Sequence, residues 1–420
     1  MTVSGDEQAD SGATQNPASL KPLRGISVLE FSHTIMGPCA GMVLADLGAD
    51  VIKIEPAPGG DKTRDLRGFA AGFFATFNRN KQSVAINLKT EAGQSIVHRL
   101  IETTDIVLDN YGPGTMEKLG CGYESLRCRN AGLIYLSLKG YLSGPWQDRP
   151  ALDEVVQFQS GLAYMTGPPG QPLRAGASIV DILGAVFGVT GVLAALRERE
   201  KTGYGQRVGS ALFESAAFLM ASHMVGGQVT GKAVPPMTAR KGAWAIYDVF
   251  VSSDHQQLFI GVTSDAQWQR FCKEFALDEL LADQRLVTNP ERTLMRSWLL
   301  PEVAKALANY SFEELKEGCF KADVSFSPVA HPEDLATHEQ LLGQGLLDTA
   351  LDTVRHAVSD EIRNSVTQIP GLPLEFGDDR LRTQLQQDPP DLGQHTGPVL
   401  SRAGYLASEI KQFHDDGVIL

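Results

Sequence analysis

At 420 residues, with 43% hydrophobic and 21% charged side chains, the chain is longer than one compact core accommodates, so two domains of a globular protein are expected. Its net charge of −13 excludes the basic footprint of a nucleic-acid binder, yet leaves room for one anionic ligand held by a few local Arg and Lys side chains. Five scattered cysteines (Cys39, Cys121, Cys128, Cys272, Cys319), without C-x-x-C spacing or a partnering His cluster, argue against a disulfide framework or a metal site.

Residues 1–20, rich in Ser, Gly, Gln, Thr and acid, read as a disordered tail. Asp6, Glu7 and Asp10 there argue against a mitochondrial presequence, and no run beyond is expected to span a membrane, so a cytoplasmic setting is expected. β-Branched runs at 26–31 and 50–54, separated by a helical segment at 37–47, make a strand–helix–strand unit, which implies a parallel sheet. Strands at 83–88, 105–108 and 133–138, with a helix at 91–102, extend this into a doubly wound layer. Helices follow at 153–164, 182–199 and 211–224. The stretch 226–242 holds Gly226-Gly227 and Pro235-Pro236 with little periodicity, and reads as a linker or active-site loop. Alternating runs at 244–252 and 257–263 read as a hairpin, with helices at 265–275 and 294–309 after it. The tail carries a strand-like 371–376 and a last helix at 408–415. The fold class expected is α/β, with a doubly wound parallel-sheet large domain (21–225 plus 340–420) and a smaller α+β domain with its return linker (243–339).

No G-x-G-x-x-G follows the first strand, where Ser32-His33-Thr34-Ile35-Met36-Gly37-Pro38 stands, and no G-x-x-x-x-G-K-[ST] occurs. Dinucleotide-dependent dehydrogenases and P-loop NTPases are therefore disfavoured. That loop still lies at the C-terminal end of a parallel strand, where open α/β sheets bind ligands. Asn110-Tyr111-Gly112-Pro113-Gly114 ends another strand and offers free amides to a phosphate, although turn chemistry alone explains it. Asn78-Arg79-Asn80-Lys81 reads most simply as a solvated charged turn. Asp181 is the only charged residue between Arg174 and Arg197, at or near the start of an apolar, glycine-punctuated helix. Two readings stand open for it: an N-cap, or a partly desolvated carboxylate used as a nucleophile.

Several motifs occur in one order: Leu29-Glu30-Phe31 with Gly37-Pro38, Leu44 through Glu55, Gly59-Gly60-Asp61, Asn78 through Lys81, Asn110 through Gly114, Asp153-Glu154-Val155-Val156-Gln157 with Ser160-Gly161-Leu162, Thr166-Gly167, and Lys201-Thr202-Gly203-Tyr204-Gly205-Gln206. So arranged, the chain resembles the class III CoA-transferases, the family of formyl-CoA:oxalate, carnitine-CoA and dicarboxylate CoA-transferases. The resemblance runs from about Leu23 to Leu420, strongest before residue 210. It implies that Asp181 is the nucleophile. Family contacts to coenzyme A fall on His33, Met36, Asn87, Leu88, Lys89, Asn110, Tyr111 and Gly112. Two arginines that meet the nucleotide phosphates in the formyl-CoA enzyme match Pro56 and Lys118; Lys118 still offers a phosphate a point charge. Arg240, in the region comparable to that enzyme's flap, is the candidate binder of the substrate carboxylate.

The resemblance further implies that coenzyme A and acyl-CoA are substrates with no permanently bound cofactor, and that the acceptor is a small mono- or dicarboxylic acid. Succinyl-CoA is a possible donor. An interlocked homodimer is implied, with neither nucleic acid nor membrane as partner. Amides of the glycines and the helix start around Asp181 are expected to stabilise the oxyanions. Two rival readings remain. The 2-methylacyl-CoA racemases share the fold and the aspartate, but pair it with a His at the position of Leu152; a non-catalytic CoA-binding protein would keep the fold without using Asp181.

Overall fold

The computed structural model describes residues 21–239, 242–343, 345–351 and 365–420, so the expected N-terminal tail and Arg240 lie outside the described residues. The chain divides into two compact units, one ending at Val234 and resuming at Glu339, the other Pro235–His338.

In the first unit, β1 (Ser27–Phe31), β2 (Asp50–Pro56), β3 (Lys81–Ile86), β4 (Ile106–Asp109), β5 (Ile134–Lys139) and β6 (Arg207–Ala211) form one sheet in the order β3-β2-β1-β4-β5-β6. Every pairing in it is parallel. A parallel sheet carries helices on both faces, so its central strands are buried on both sides instead of alternating, with Glu30 on β1 and Lys53 on β2 as buried charged exceptions. Val28, Ile106, Leu108, Ile134 and Leu136 pack on one side with α1 (Met36–Asp46) and the helix Ile179–Thr202. Leu29, Phe31, Val107 and Tyr135 pack on the other, with the helix Glu91–Ile101 and the C-terminal residues Val399, Leu400 and Val418. Strand β6 has no apolar run to announce it: Arg207 and Gly209 sit in it, and pairing with β5 recruits it.

Four sequence expectations are corrected here. The helix read at 153–164 is two helices, Asp153–Gln159 and Leu162–Thr166, because Gly161 takes φ 87° between them. The helix Ile179–Thr202 is long and apolar enough to cross a membrane, contrary to the expectation that no run is. It lies against α1, β5, β6 and the helix Leu212–Thr230, the place of a core helix. The loop read from 226 begins later, since Leu212–Thr230 carries Gly226 and Gly227 inside it and stops at Gly231, in left-handed backbone at φ 64°. The strand read at 371–376 is instead Val366–Pro370, paired antiparallel with Leu346–Ala350.

The second unit has a three-stranded antiparallel sheet, β7 (Ile246–Val251), β8 (Gln257–Val262) and β9 (Ser325–Pro328). Helices Asp265–Glu274, Arg296–Leu307 and Phe312–Lys321 back it, burying Trp268, Phe271, Leu299 and Leu315. Short, largely exposed β9 gave no sequence signal.

Candidate active site

Parallel strands send the loops after β1, β4 and β5 out on one edge, and the strand order reverses between β1 and β4, which opens a crevice there. Asn110, just after β4, ties the two sides of it together. Its Oδ1 accepts from the backbone N–H of His33 at 3.0 Å, and its Nδ2 donates to the His33 carbonyl at 2.8 Å. The His33 ring stacks on Tyr111 with centroids 5.7 Å apart. Thr34 holds φ at 68°, a costly backbone for a β-branched residue and of the kind found where a loop is shaped for function.

A cavity of about 640 Å³ opens at this crevice. It brings together six residues singled out in the sequence, His33, Met36, Asn110, Tyr111, Gly112 and Asp181. Asn87, Leu88, Lys89 and Lys118 do not line it. The first three follow β3 on the same edge of the sheet: Asn87 donates its backbone N–H to Val418 (2.8 Å), Leu88 is buried, and Lys89 is exposed. Lys118 is exposed at the end of a short turn of helix, Thr115–Lys118. Lys139, Arg149 and Arg174, which the sequence reading passed over, do line the cavity. Their signal was faint, since each sits in an irregular stretch or at a strand end.

Asp181 lies in the first turn of the helix Ile179–Thr202, where Ser178 holds the cap position without a side-chain cap bond. The N-cap reading is therefore corrected: capping comes from a distant carboxylate. Asp153 Oδ2 accepts from the backbone N–H of Val180 at 2.8 Å and of Asp181 at 3.1 Å. Gln157 Nε2 donates to the other oxygen of Asp153, and Gln157 Oε1 accepts from the Ala175 N–H at 2.8 Å. The helix-start amides expected to serve an oxyanion are thus already engaged. Among the described residues, the amides of Gly176, Ala177 and Ser178, which line the cavity, have no hydrogen-bond partner. The Asp181 carboxyl, half-buried, is pushed up to about 7, first by loss of hydration and then by the negative charges of Asp153 and Glu154.

Beneath the cavity floor lies a buried charge network. Glu30, fully buried on β1, meets Lys81 at 2.8 Å and Lys53 at 3.2 Å, and accepts from Ser32 Oγ at 2.5 Å. Lys53 also pairs with Asp61 (2.9 Å), and Lys81 donates to the Pro38 carbonyl (2.8 Å). Arg79 forks onto Asp46 at 3.0 and 2.7 Å. Asn78, Arg79 and Lys81 are buried, so the solvated-turn reading is corrected. Each buried cation has an acid at contact distance, the condition under which burial of charge is tolerated. Through Ser32 and Pro38 the network fixes both ends of the loop that carries His33 and Met36.

Gly184, one turn after Asp181, permits that loop to meet the helix: a Cβ there would lie 2.5 Å from Met36 Cε. Cys39 sits beneath, buried, its thiol pushed up to about 12 by lost hydration, so it is inert.

Comparison with known proteins places this arrangement. The model of CoA-transferase family III matches residues 23–396. The succinate–glutarate CoA-transferase of Agrobacterium fabrum is 31% identical over 92% of this chain and 97% of its own length. The acetyl-CoA:oxalate CoA-transferase of Acetobacter aceti is 32% identical, covering 79% of this chain and 87% of that protein. A solved CaiB/BaiF family protein from Brucella suis superposes with a TM-score of 0.80 at 28% identity, covering 92% of this chain and all of that one.

Proposed function

The chain belongs to CoA-transferase family III, and on that premise we propose that it moves coenzyme A from an acyl-CoA donor to a small mono- or dicarboxylic acid through covalent adducts on Asp181. The observation that carries this reading is a poorly hydrated carboxylate, without an ion pair among the described residues, lining a cavity at the switch point of the sheet.

An Asp181 oxygen attacks the thioester carbonyl of the donor. The C–S bond breaks, CoA leaves as thiolate, and a mixed anhydride remains. The thiolate attacks the aspartyl carbonyl, which expels the donor's acid as carboxylate and leaves an aspartyl-CoA thioester. The acceptor carboxylate then attacks that thioester to form a second anhydride and release thiolate. Attack of thiolate on the acceptor's carbonyl gives the new acyl-CoA and returns Asp181 as carboxylate. Anhydride and thioester preserve the activation of the starting bond, which an ester of a serine would lose. Each tetrahedral oxyanion needs N–H donors, and the unpartnered amides of Gly176, Ala177 and Ser178 stand nearest in sequence to supply them.

His33, Met36, Asn110, Tyr111 and Gly112 serve the thioester end of coenzyme A, and Asn87, Leu88, Lys89 and Lys118, outside the cavity, its nucleotide end. Arg240 is kept as a proposed contact for substrate carboxylate. Coenzyme A is substrate here, with no permanent cofactor. Succinyl-CoA is the donor we favour, because relatives named for succinate and glutarate align over nearly the whole chain. The partner is a second copy of the chain. Phe187 and Leu193 on one helix, and Phe218, Met224 and Val229 on the next, are exposed large apolar side chains of the kind that a second copy would cover. Five free thiols, four of them buried, fit a cytoplasmic setting. Leu152 lines the cavity and has no proton to exchange, which weighs against racemisation.

Incubation with succinyl-CoA, then hydroxylamine or borohydride, is expected to mark the Asp181 peptide by mass spectrometry. Deuterium exchange at an acyl α-carbon without any mark on Asp181 would sink the transferase reading in favour of the racemase; neither event would leave only CoA binding.

A further inference from the structure

Three acids, Asp153, Glu154 and Asp181, line the cavity that holds the proposed nucleophile. A substrate with two carboxylates is repelled from such a site unless a cation there is free to meet it. Three Lys or Arg side chains line the cavity, and two of them are engaged. Lys139 Nζ is paired with Asp109 and donates to the Tyr111 carbonyl at 2.7 Å. Arg174 faces Glu154 at 3.7 Å and donates to the Ala175 carbonyl at 3.3 Å.

Arg149 is different. It makes no ion pair among the described residues, and its guanidinium lies 4.3 Å from the centroid of the Trp146 ring. A guanidinium stacked on an indole keeps its in-plane N–H edge open, the edge that fits a carboxylate with two parallel hydrogen bonds. The platform is itself fixed. Trp146 packs against Tyr141 (5.7 Å) and Phe213 (6.2 Å), and the backbone N–H of Arg149 donates to the Trp146 carbonyl at 2.9 Å. From there the short segment Arg149-Pro150-Ala151-Leu152-Asp153 leads to the carboxylate that caps the helix of Asp181. Proline stiffens that segment, so the free cation and the reacting carboxylate are held by one continuous piece of structure.

We propose that Arg149 receives the second, non-reacting carboxylate of the acceptor, which makes this enzyme selective for dicarboxylic over monocarboxylic acids. The proposal rests on the transferase reading, and its test separates the two. Glutarate and valerate share a five-carbon chain and differ by one carboxylate. With succinyl-CoA as donor, kcat/KM is measured for each acid with the unsubstituted enzyme, Arg149→Ala, Arg149→Lys and Arg240→Ala. The unsubstituted enzyme is expected to favour glutarate by about 100-fold, the order expected for a charge-assisted carboxylate pair. Arg149→Ala is expected to reduce the ratio to within a few-fold of one, and Arg149→Lys to restore only part of it, since a point charge lacks the fork. A ratio near one in the unsubstituted enzyme, a ratio that survives in Arg149→Ala, or its loss in Arg240→Ala alone overturns the assignment while leaving transfer intact. No transfer to either acid, with no adduct on Asp181, overturns the transferase reading itself.

Discussion

Asp153 and Asp181 divide between them the two uses of an acid at a helix start. Oxygen Oδ2 of Asp153 accepts from the amides of Val180 and Asp181 at 2.8 and 3.1 Å, while the carboxyl of Asp181 is left to the cavity. One residue anchors the helix; the other keeps its oxygens unengaged. The anchoring charge is also a near neighbour that raises the pKa of the second carboxyl, so it tunes the group it positions.

That coupling predicts a pH effect. In the proposed mechanism Asp181 attacks as carboxylate, so the rate of adduct formation is expected to rise with pH through a midpoint near 7. Asp153→Asn keeps an oxygen for the two amides and removes the charge. The midpoint is expected to move down, by about one unit or less because lost hydration remains the larger cause. Single-turnover labelling by acyl-CoA across the pH range reads it, and an upward or absent shift refutes the coupling.

Stability should respond in the opposite sense to activity. The Asp181 carboxyl is raised in the folded state above its ordinary value of 3.8, so its contribution is intact below about pH 4 and is lost as pH rises through about 7. Asp181→Asn is therefore expected to be more stable than the unsubstituted protein at pH 8 by on the order of 2 kcal/mol, seen as a higher unfolding temperature, with the difference vanishing toward pH 4. Calorimetry at the two pH values checks this. The same variant is expected to lose transfer by about 10³-fold or more.

Two glycines make contrasting tests of packing. A Cβ on Gly41 would fall 1.7 Å from Oε2 of Glu30, inside the buried network, where no atom can yield without breaking a charge pair. Gly41→Ala is expected to cost more than about 3 kcal/mol or to prevent folding. A Cβ on Gly184 would meet the flexible end of Met36, so Gly184→Ala is expected to cost about 1–2 kcal/mol and act mainly on CoA binding. Denaturant midpoints rank them, and equal costs would show that the network relaxes.

Asn110→Ala removes the two side-chain hydrogen bonds that join the loops after β1 and β4. Without them the His33 backbone loses its side-chain tie across the crevice, while the buried network still holds the loop at Ser32 and Pro38. The KM for the acyl-CoA is expected to rise about tenfold with a smaller fall in kcat, because the loop's proposed part is in binding more than in chemistry. A change confined to kcat would count against that division.

Much of the fold was written in local pattern. Near-continuous apolar strands with helices between them specify a parallel sheet, since only burial on both faces accounts for runs like Ile106–Asp109, and motif order pointed to Asp181 and the loops that line its cavity. Where an element lacks a pattern of its own the sequence was silent, as for β6, which exists because β5 offers it an edge.

The sequence by itself determined the layered sheet and the edge where its loops gather, because periodicity and strand polarity are local properties, and the resemblance of its ordered motifs singled out Asp181 on that edge. Only the tertiary structure decided which acid caps and which is free, that Arg79 and Lys81 are buried against Asp46 and Glu30, and that Arg149 alone among the cavity's Lys and Arg side chains has no acid to hold among the described residues. Those outcomes depend on partners far apart in the chain: the environment of a charge is set by what folds against it, and spacing along the sequence carries no record of that.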